Sequence, residues 1–240
     1  MRFLVLVCLL LAGCGGEVKA KGIQLGIDPN WYPLDFGPQV SYINGFVEEV
    51  LLDVAMSAKT DYIRQSSSPD SLLSDLQSGR FDAVLTSLPP YNFNLAKYDF
   101  SQNFLELGPV LIIPLDSSHT ELKQMNGRLV GIVANDQTVL VLQKYQEIIV
   151  RSYPSIPELL NAVTTGEIEG ALLYRIPASN YIRDLYSGQL KITGKPLTNE
   201  GLHLVALKGH KPQTVKPFDR ALETLKKKRM EELLKKWQLD

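Results

Sequence analysis

Two stretches of this chain follow one plan. "SPDSLLSDLQSGRFDAVLTS" (68–87) and "SIPELLNAVTTGEIEGALLY" (155–174) align at an offset of 87 residues. Leu72 matches Leu159, Leu73 matches Leu160 and Gly79 matches Gly166. Phe81 matches Ile168, Asp82 matches Glu169 and Leu85 matches Leu172. Each copy reads as a helix, a glycine cap and a buried strand. In the first copy Ser68 is the helix cap, Pro69 the first helical residue and Gly79 the residue past the end. A repeated helix–strand unit predicts two similar α/β lobes facing each other.

The surrounding chain fits that plan. "IQLGID" (23–28), "LVGIVA" (129–134) and "LHLVAL" (202–207) read as strands. In "GFVEEVLLDVAMSAK" (45–59), Phe46, Val50, Leu51 and Val54 recur at helical spacing. A second helix starts at "TVLVLQKYQ". The C-terminal stretch is an amphipathic helix with a break near Lys227. Strands alternating with helices predict an α/β fold with mainly parallel sheets. Ligands of such sheets bind outside the carboxyl ends of the strands. The residues just after each strand are therefore the binding candidates: Asp28 to Tyr32, Ser87 to Asn94, Asn135 to Thr138, and Tyr174 to Arg175.

The first 22 residues, "MRFLVLVCLLLAGCGGEVKAKG", carry an early arginine, a short apolar run and then small residues. That is a secretory signal, too short to span a bilayer as a mature helix. "LAGC" reads as a lipobox, with lipidation at Cys14. The expected division is a signal peptide at 1–13 and a lipid-anchored linker at 14–21. Of the two cysteines, Cys8 leaves with the signal and Cys14 carries lipid, so the mature domain has no thiol for a disulfide, a metal or a nucleophile. A net charge of −1 argues against nucleic acid and against a polybasic membrane surface.

The order of motifs resembles the bacterial extracellular solute-binding proteins that serve ABC importers of polar amino acids. The resemblance rests on "GIDPNWYPLDF", "GFVEEVLLDVA", "LLSDLQSGRFDAVLTSL", "YDFSQNF", "LVGIVANDQT", "LLNAVTTGEIEGALL" and the final "LKKW". It implies a two-lobe periplasmic-binding-protein fold of type II-like form, with two hinge crossings. Lobe 1 would combine 22–108 with 198–240, and lobe 2 would span 109–197. It further implies an extracytoplasmic monomer that takes a small polar ligand between its lobes and passes it to a permease and its ATPase. No cofactor is expected.

The resembled family holds an amino acid's carboxylate with an arginine and a threonine from lobe 1, and its ammonium with an aspartate from lobe 2. Counted from "DFS", the arginine position is Asn94 and the threonine position is Pro89; counted from Glu169, the aspartate position is Tyr174. No arginine lies between Arg80 and Arg128 to restore the clamp. A carboxylate buried without its charged partner loses roughly 3–5 kcal/mol. The candidate ligand-binding set is Asp28, Trp31, Tyr32, Ser87, Asn94, Asp136, Gln137, Thr138 and Tyr174. Trp31 or Tyr32 would form an aromatic wall. With Asp28, Asp136 and aromatic rings, such a cleft favours a cationic or uncharged polar ligand. The alternatives are a sensing or partner-binding domain on the same fold, or a secreted dehydratase-like enzyme. Against catalysis, the sequence shows no nucleophile–base pair, metal cluster or phosphate loop. The scattered His119, His203 and His210 lack metal-ligand spacing.

Overall fold

The structure is a computed structural model. It describes residues 22–32, 34, 36–209, 212–225 and 227–239. The signal, the lipobox with Cys14 and the linker at 14–21 lie outside these residues. Within them, no helix is long and apolar enough to cross a membrane.

The chain first lays down β1 (Ile23–Ile27), α1 (Val40–Ala58), β2 (Tyr62–Ser66), α2 (Pro69–Gln77) and β3 (Ala83–Thr86). Next come α3 (Asn92–Leu95), β4 (Tyr98–Phe100), β5 (Leu105–Glu106) and β6 (Pro109–Pro114). The second half holds β7 (Leu129–Val133), α4 (Val139–Leu142), β8 (Ile149–Tyr153), α5 (Ile156–Thr164) and β9 (Gly170–Tyr174). It continues with α6 (Arg175–Leu185), β10 (Leu190–Thr193), β11 (Gly201–Leu207), α7 (Pro212–Thr224) and α8 (Lys227–Lys236).

These strands form two sheets, each the centre of one lobe. The first runs β2-β1-β3-β11-β4, with β5 also paired to β11; the second runs β10-β6-β9-β7-β8. In both, three parallel strands form one side: β2-β1-β3 and β8-β7-β9. Antiparallel strands complete each sheet, β11, β4 and β5 in the first and β6 and β10 in the second. Both sheets are therefore mixed, and the chain returns to the first through β11 after building the second.

The repeat is visible in detail. Ser68 Oγ accepts from the Ser71 N–H and Ser155 Oγ accepts from the Glu158 N–H, both at 3.3 Å. These bonds satisfy N–H groups that a first helical turn leaves orphaned. Gly79 (φ +78°) and Gly166 (φ +74°) end the two helices in the left-handed region, where a Cβ is costly. Asp82 and Glu169 then do the same work. Asp82 Oδ2 accepts from Gln24 N–H of β1 at 2.8 Å, and Glu169 Oε2 accepts from Leu129 N–H of β7 at 2.9 Å.

Each sheet buries apolar side chains on both faces. On the first, Phe46, Val50, Leu51 and Val54 of α1 pack with Leu25, Leu85, Leu204 and Phe218. Its other face holds Leu72, Leu76, Phe81 and Val84. The second sheet places Leu159, Leu160 and Val163 of α5 on one side, and Met125, Val130, Leu142 and Ile148 on the other. At about 25 cal/mol per Å² of apolar surface, these clusters are the main favourable term for each lobe. The C-terminal helix is interrupted between Thr224 and Lys227, where the sequence placed its break. Ile176 of α6 reaches across from the second half and is buried in the first lobe's core beside Leu105 and Leu107.

Candidate functional site

The two chain segments that link the sheets lie side by side. Leu107 N–H and Gly108 N–H both donate to the Glu200 carbonyl, at 2.9 and 3.2 Å, and Leu197 N–H donates to the Pro109 carbonyl at 2.8 Å. Tyr174 ends β9 opposite Pro109. These bonds hold the end of a lobe 2 strand, the first linking segment and Glu200 of the second in one place.

A cavity of about 430 Å³ opens over this floor. Pro89, Pro90 and Tyr91 of the first lobe form one wall. Gln137, Leu140, Val141, Lys144 and Tyr174 of the second form the other. Pro109 and the run Leu197 to Glu200 lie beneath. A mixed apolar and polar surface of this size is typical of small-molecule sites.

The electrostatics single out Glu200. Burial pushes its carboxyl above the ordinary range, and the charge of Asp136 pushes it further, while the nearby Thr198 hydroxyl opposes the shift. Even so, Glu200 Oε2 and Thr198 Oγ1 are buried atoms with no hydrogen-bond partner among the described residues. Burial also raises the Tyr174 hydroxyl, with Glu200 and Asp136 adding to it; Tyr91 is raised by burial and then by Glu200. Groups from both lobes and a linking segment thus share one electrostatic environment.

Of the residues expected to bind ligand, Gln137 and Tyr174 line this cavity. Asp136 acts on it through its charge, and its Oδ1 accepts from Thr138 N–H at 2.7 Å. Thr138 is buried, with a hydroxyl that has no partner.

The other five do not line this cavity. Trp31 is not a cleft wall. Only 1 % of it is exposed, and it belongs to the first lobe's core. Its backbone is left-handed (φ 60°), and its Nε1–H donates to Asn44 Oδ1 at 2.8 Å. Asp28 caps its own loop, accepting from the N–H groups of Asn30 at 3.0 Å and Tyr32 at 2.8 Å. Ser87 Oγ donates to the Trp31 and Tyr32 carbonyls. Tyr32 itself is exposed on the surface. Asn94 is buried and donates from Nδ2 to the Pro89 carbonyl at 2.8 Å, so the residues expected at two clamp positions bond to each other. Arg175, the residue just after the strand end at Tyr174, lies 3.6 Å from Glu106 in an ion pair.

Sequence reasoning missed Glu200 and Thr198, and the candidate ligand-binding set omitted Tyr91. One signal was available: Glu200 is an acid inside the predicted second crossing, and crossings lie beneath an interlobe cleft. Tyr91 follows the two prolines of "SLPPY", in a loop already marked as a candidate.

Known proteins share this architecture. The arginine-binding extracellular protein ArtP of Bacillus subtilis (strain 168) is 22% identical over 248 residues, covering 99% of this chain and 96% of its own. The L-cystine solute receptor of Neisseria gonorrhoeae, in an unliganded open conformation, has the same fold at a TM-score of 0.68 and 18% identity; the match covers 90% of this chain and 92% of that one. The second substrate-binding domain of a putative amino acid ABC transporter from Streptococcus pneumoniae matches at a TM-score of 0.66 and 16% identity, covering 90% and 99%. A family profile matches residues 23–240, so the chain belongs to the bacterial extracellular solute-binding proteins, family 3.

Proposed function

We propose that this protein is the lipid-anchored solute receptor of an ABC importer, held outside the cytoplasm through Cys14. It binds a small polar solute, an amino acid or a related amine or peptide, between its lobes and delivers it to a permease. The observation that carries this reading is the cavity at the joined linking segments, walled by Tyr91 from one lobe and Tyr174 and Gln137 from the other. A ligand touching both walls stabilises a closed arrangement by the difference in its contacts between open and closed forms. The names of the relatives, which refer to arginine and cystine, support the class of solute. The α-amino acid pose of the family is altered, because Asn94 and Pro89 are engaged with each other.

Heating the purified protein against amino acids, amines and short peptides tests this directly. A ligand at a hundred times its dissociation constant stabilises by about 2.7 kcal/mol, which appears as a raised melting temperature. One chemical group should give that shift; a flat response to the whole panel sinks the receptor reading. For the anchor, Cys14→Ser should move the protein from the membrane to the soluble fraction. Continued membrane association would refute lipidation at that residue.

A further inference from the structure

The geometry points to Glu200 as the anchor for the cationic head of an organic amine, a ligand whose binding needs no carboxylate. This inference rests on the receptor reading and identifies the chemistry of its site. Glu200 lines the cavity from the second linking segment; its Oε2 is buried and meets no full hydrogen-bond geometry among the described residues, although the Thr198 hydroxyl lies near it. Its backbone carbonyl accepts from Leu107 N–H, Gly108 N–H and, at 3.3 Å, Asn103 Nδ2. A buried carboxylate oxygen with acceptor capacity to spare is a site that an ammonium or guanidinium donor completes.

The rest of the cavity agrees with a cation. The rings of Tyr91 and Tyr174 line the same space, and aromatic faces attract cations. Asp136 adds negative potential, raising both Glu200 and Tyr174. An anionic group finds little welcome. Lys144 is the single cation lining the cavity among the described residues, and it is exposed at the rim. Arg175 is paired with Glu106 instead. A carboxylate on the ligand would therefore approach two acids with only a solvated lysine to balance it.

Calorimetry on matched pairs tests the assignment: agmatine against arginine, cadaverine against lysine, and tyramine against tyrosine. At least one amine should bind as tightly as its parent amino acid or more tightly. Glu200→Gln should weaken that amine by about a hundredfold or more, the loss expected when a buried charge is left without its partner. The ligand-free Glu200→Gln protein should melt no lower than the wild type, since the variant removes a buried unpaired charge. Lys144→Ala should not weaken amine binding, since it removes a positive charge from the cavity lining. Amino acids that bind while their amines do not, with affinity lost in Lys144→Ala, would overturn the assignment and leave the receptor reading intact. So would any ligand indifferent to Glu200→Gln. A panel without any binder overturns both.

Discussion

The two parallel triplets, β2-β1-β3 and β8-β7-β9, are built alike and end differently. Their scaffolds share a serine cap, a left-handed glycine and an acid that accepts from the neighbouring strand's backbone. β2 and β8 even keep the offset of 87 residues. The divergence lies beyond the strand ends. After β1 the chain makes a tied loop and the 19-residue α1; after β7 it makes a short turn and the 4-residue α4. After β3 it runs through two prolines into α3, whereas after β9 it enters α6 at once. In the first lobe the strand-end polar groups are spent on the loop itself, Asp28 and Ser87 among them. In the second, Tyr174 and Gln137 remain facing the cavity. A repeated framework leaves its strand ends free to differ, because sheet stability depends on the strands and their packed faces while binding depends on the ends.

The sharpest way to break the likeness is to crowd its shared close approaches. A Cβ on Gly26 would sit 2.4 Å from the ring of Phe81, and one on Gly131 would sit 2.3 Å from Leu159 Cδ1 and 2.6 Å from Ile168 Cδ1. Overpacking a core costs about 1–3 kcal/mol. Gly26→Ala should fall at the upper end, because a rigid ring has few ways to yield. Gly131→Ala should cost less, since aliphatic ends can rotate. Urea midpoints for the two variants decide this, and equal losses would show that the two cores are equally unyielding.

A smaller effect separates the matched acids. Removing either leaves a backbone N–H without its acceptor, worth about 1–3 kcal/mol when buried. Asp82 is half-buried and Glu169 is exposed, so water replaces the second carboxylate more readily. Asp82→Ala should destabilise by about 1–2 kcal/mol and Glu169→Ala by clearly less. If Glu169→Ala proves the more damaging, burial is not what distinguishes them.

The smallest expected effect is a pH dependence at β11, the antiparallel neighbour in the first sheet, which has a counterpart in β6 without a titratable side chain. β11 carries the buried His203, whose Nδ1 lies 2.9 Å from the Ser101 carbonyl. Burial pushes its pKa below the ordinary 6.5. The unfolded chain therefore takes up a proton near pH 6.5 while the folded one resists, so stability falls as pH drops from about 7 toward the folded value. Glu200 has the opposite sign. Its folded pKa is raised, so it costs stability above its folded value and that cost fades as pH falls through it. Urea midpoints at pH 7.5 and 5.5 should draw together in His203→Asn and spread apart in Glu200→Gln. An unchanged gap in His203→Asn would remove the histidine from the account.

Much of the fold was legible because its signals are local. The spacing of Phe46, Val50, Leu51 and Val54 and the caps at Ser68 and Gly79 are read within one turn or one helix. The site was legible in part. The strand-end rule led to Tyr174 and Gln137, which line the cavity, but it led equally to Asp28 and Trp31, which do not. A strand end says where a side chain starts, not which way its loop turns.

The sequence by itself determined the repeat and the two-lobe plan, because capping and apolar periodicity act over short stretches; the linking segments were implied only by the family resemblance. Only the tertiary structure decided which polar groups are free. Trp31 is withdrawn into the first lobe's core, where it meets Asn44 on a different element. Asn94 closes on Pro89. Glu200, distant in the chain from Tyr91 and Tyr174, joins them because the linking segments hydrogen bond to each other. The physical reason is that a hydrogen-bonding group is spent or spared by its neighbours in space, and those neighbours come from remote parts of the chain.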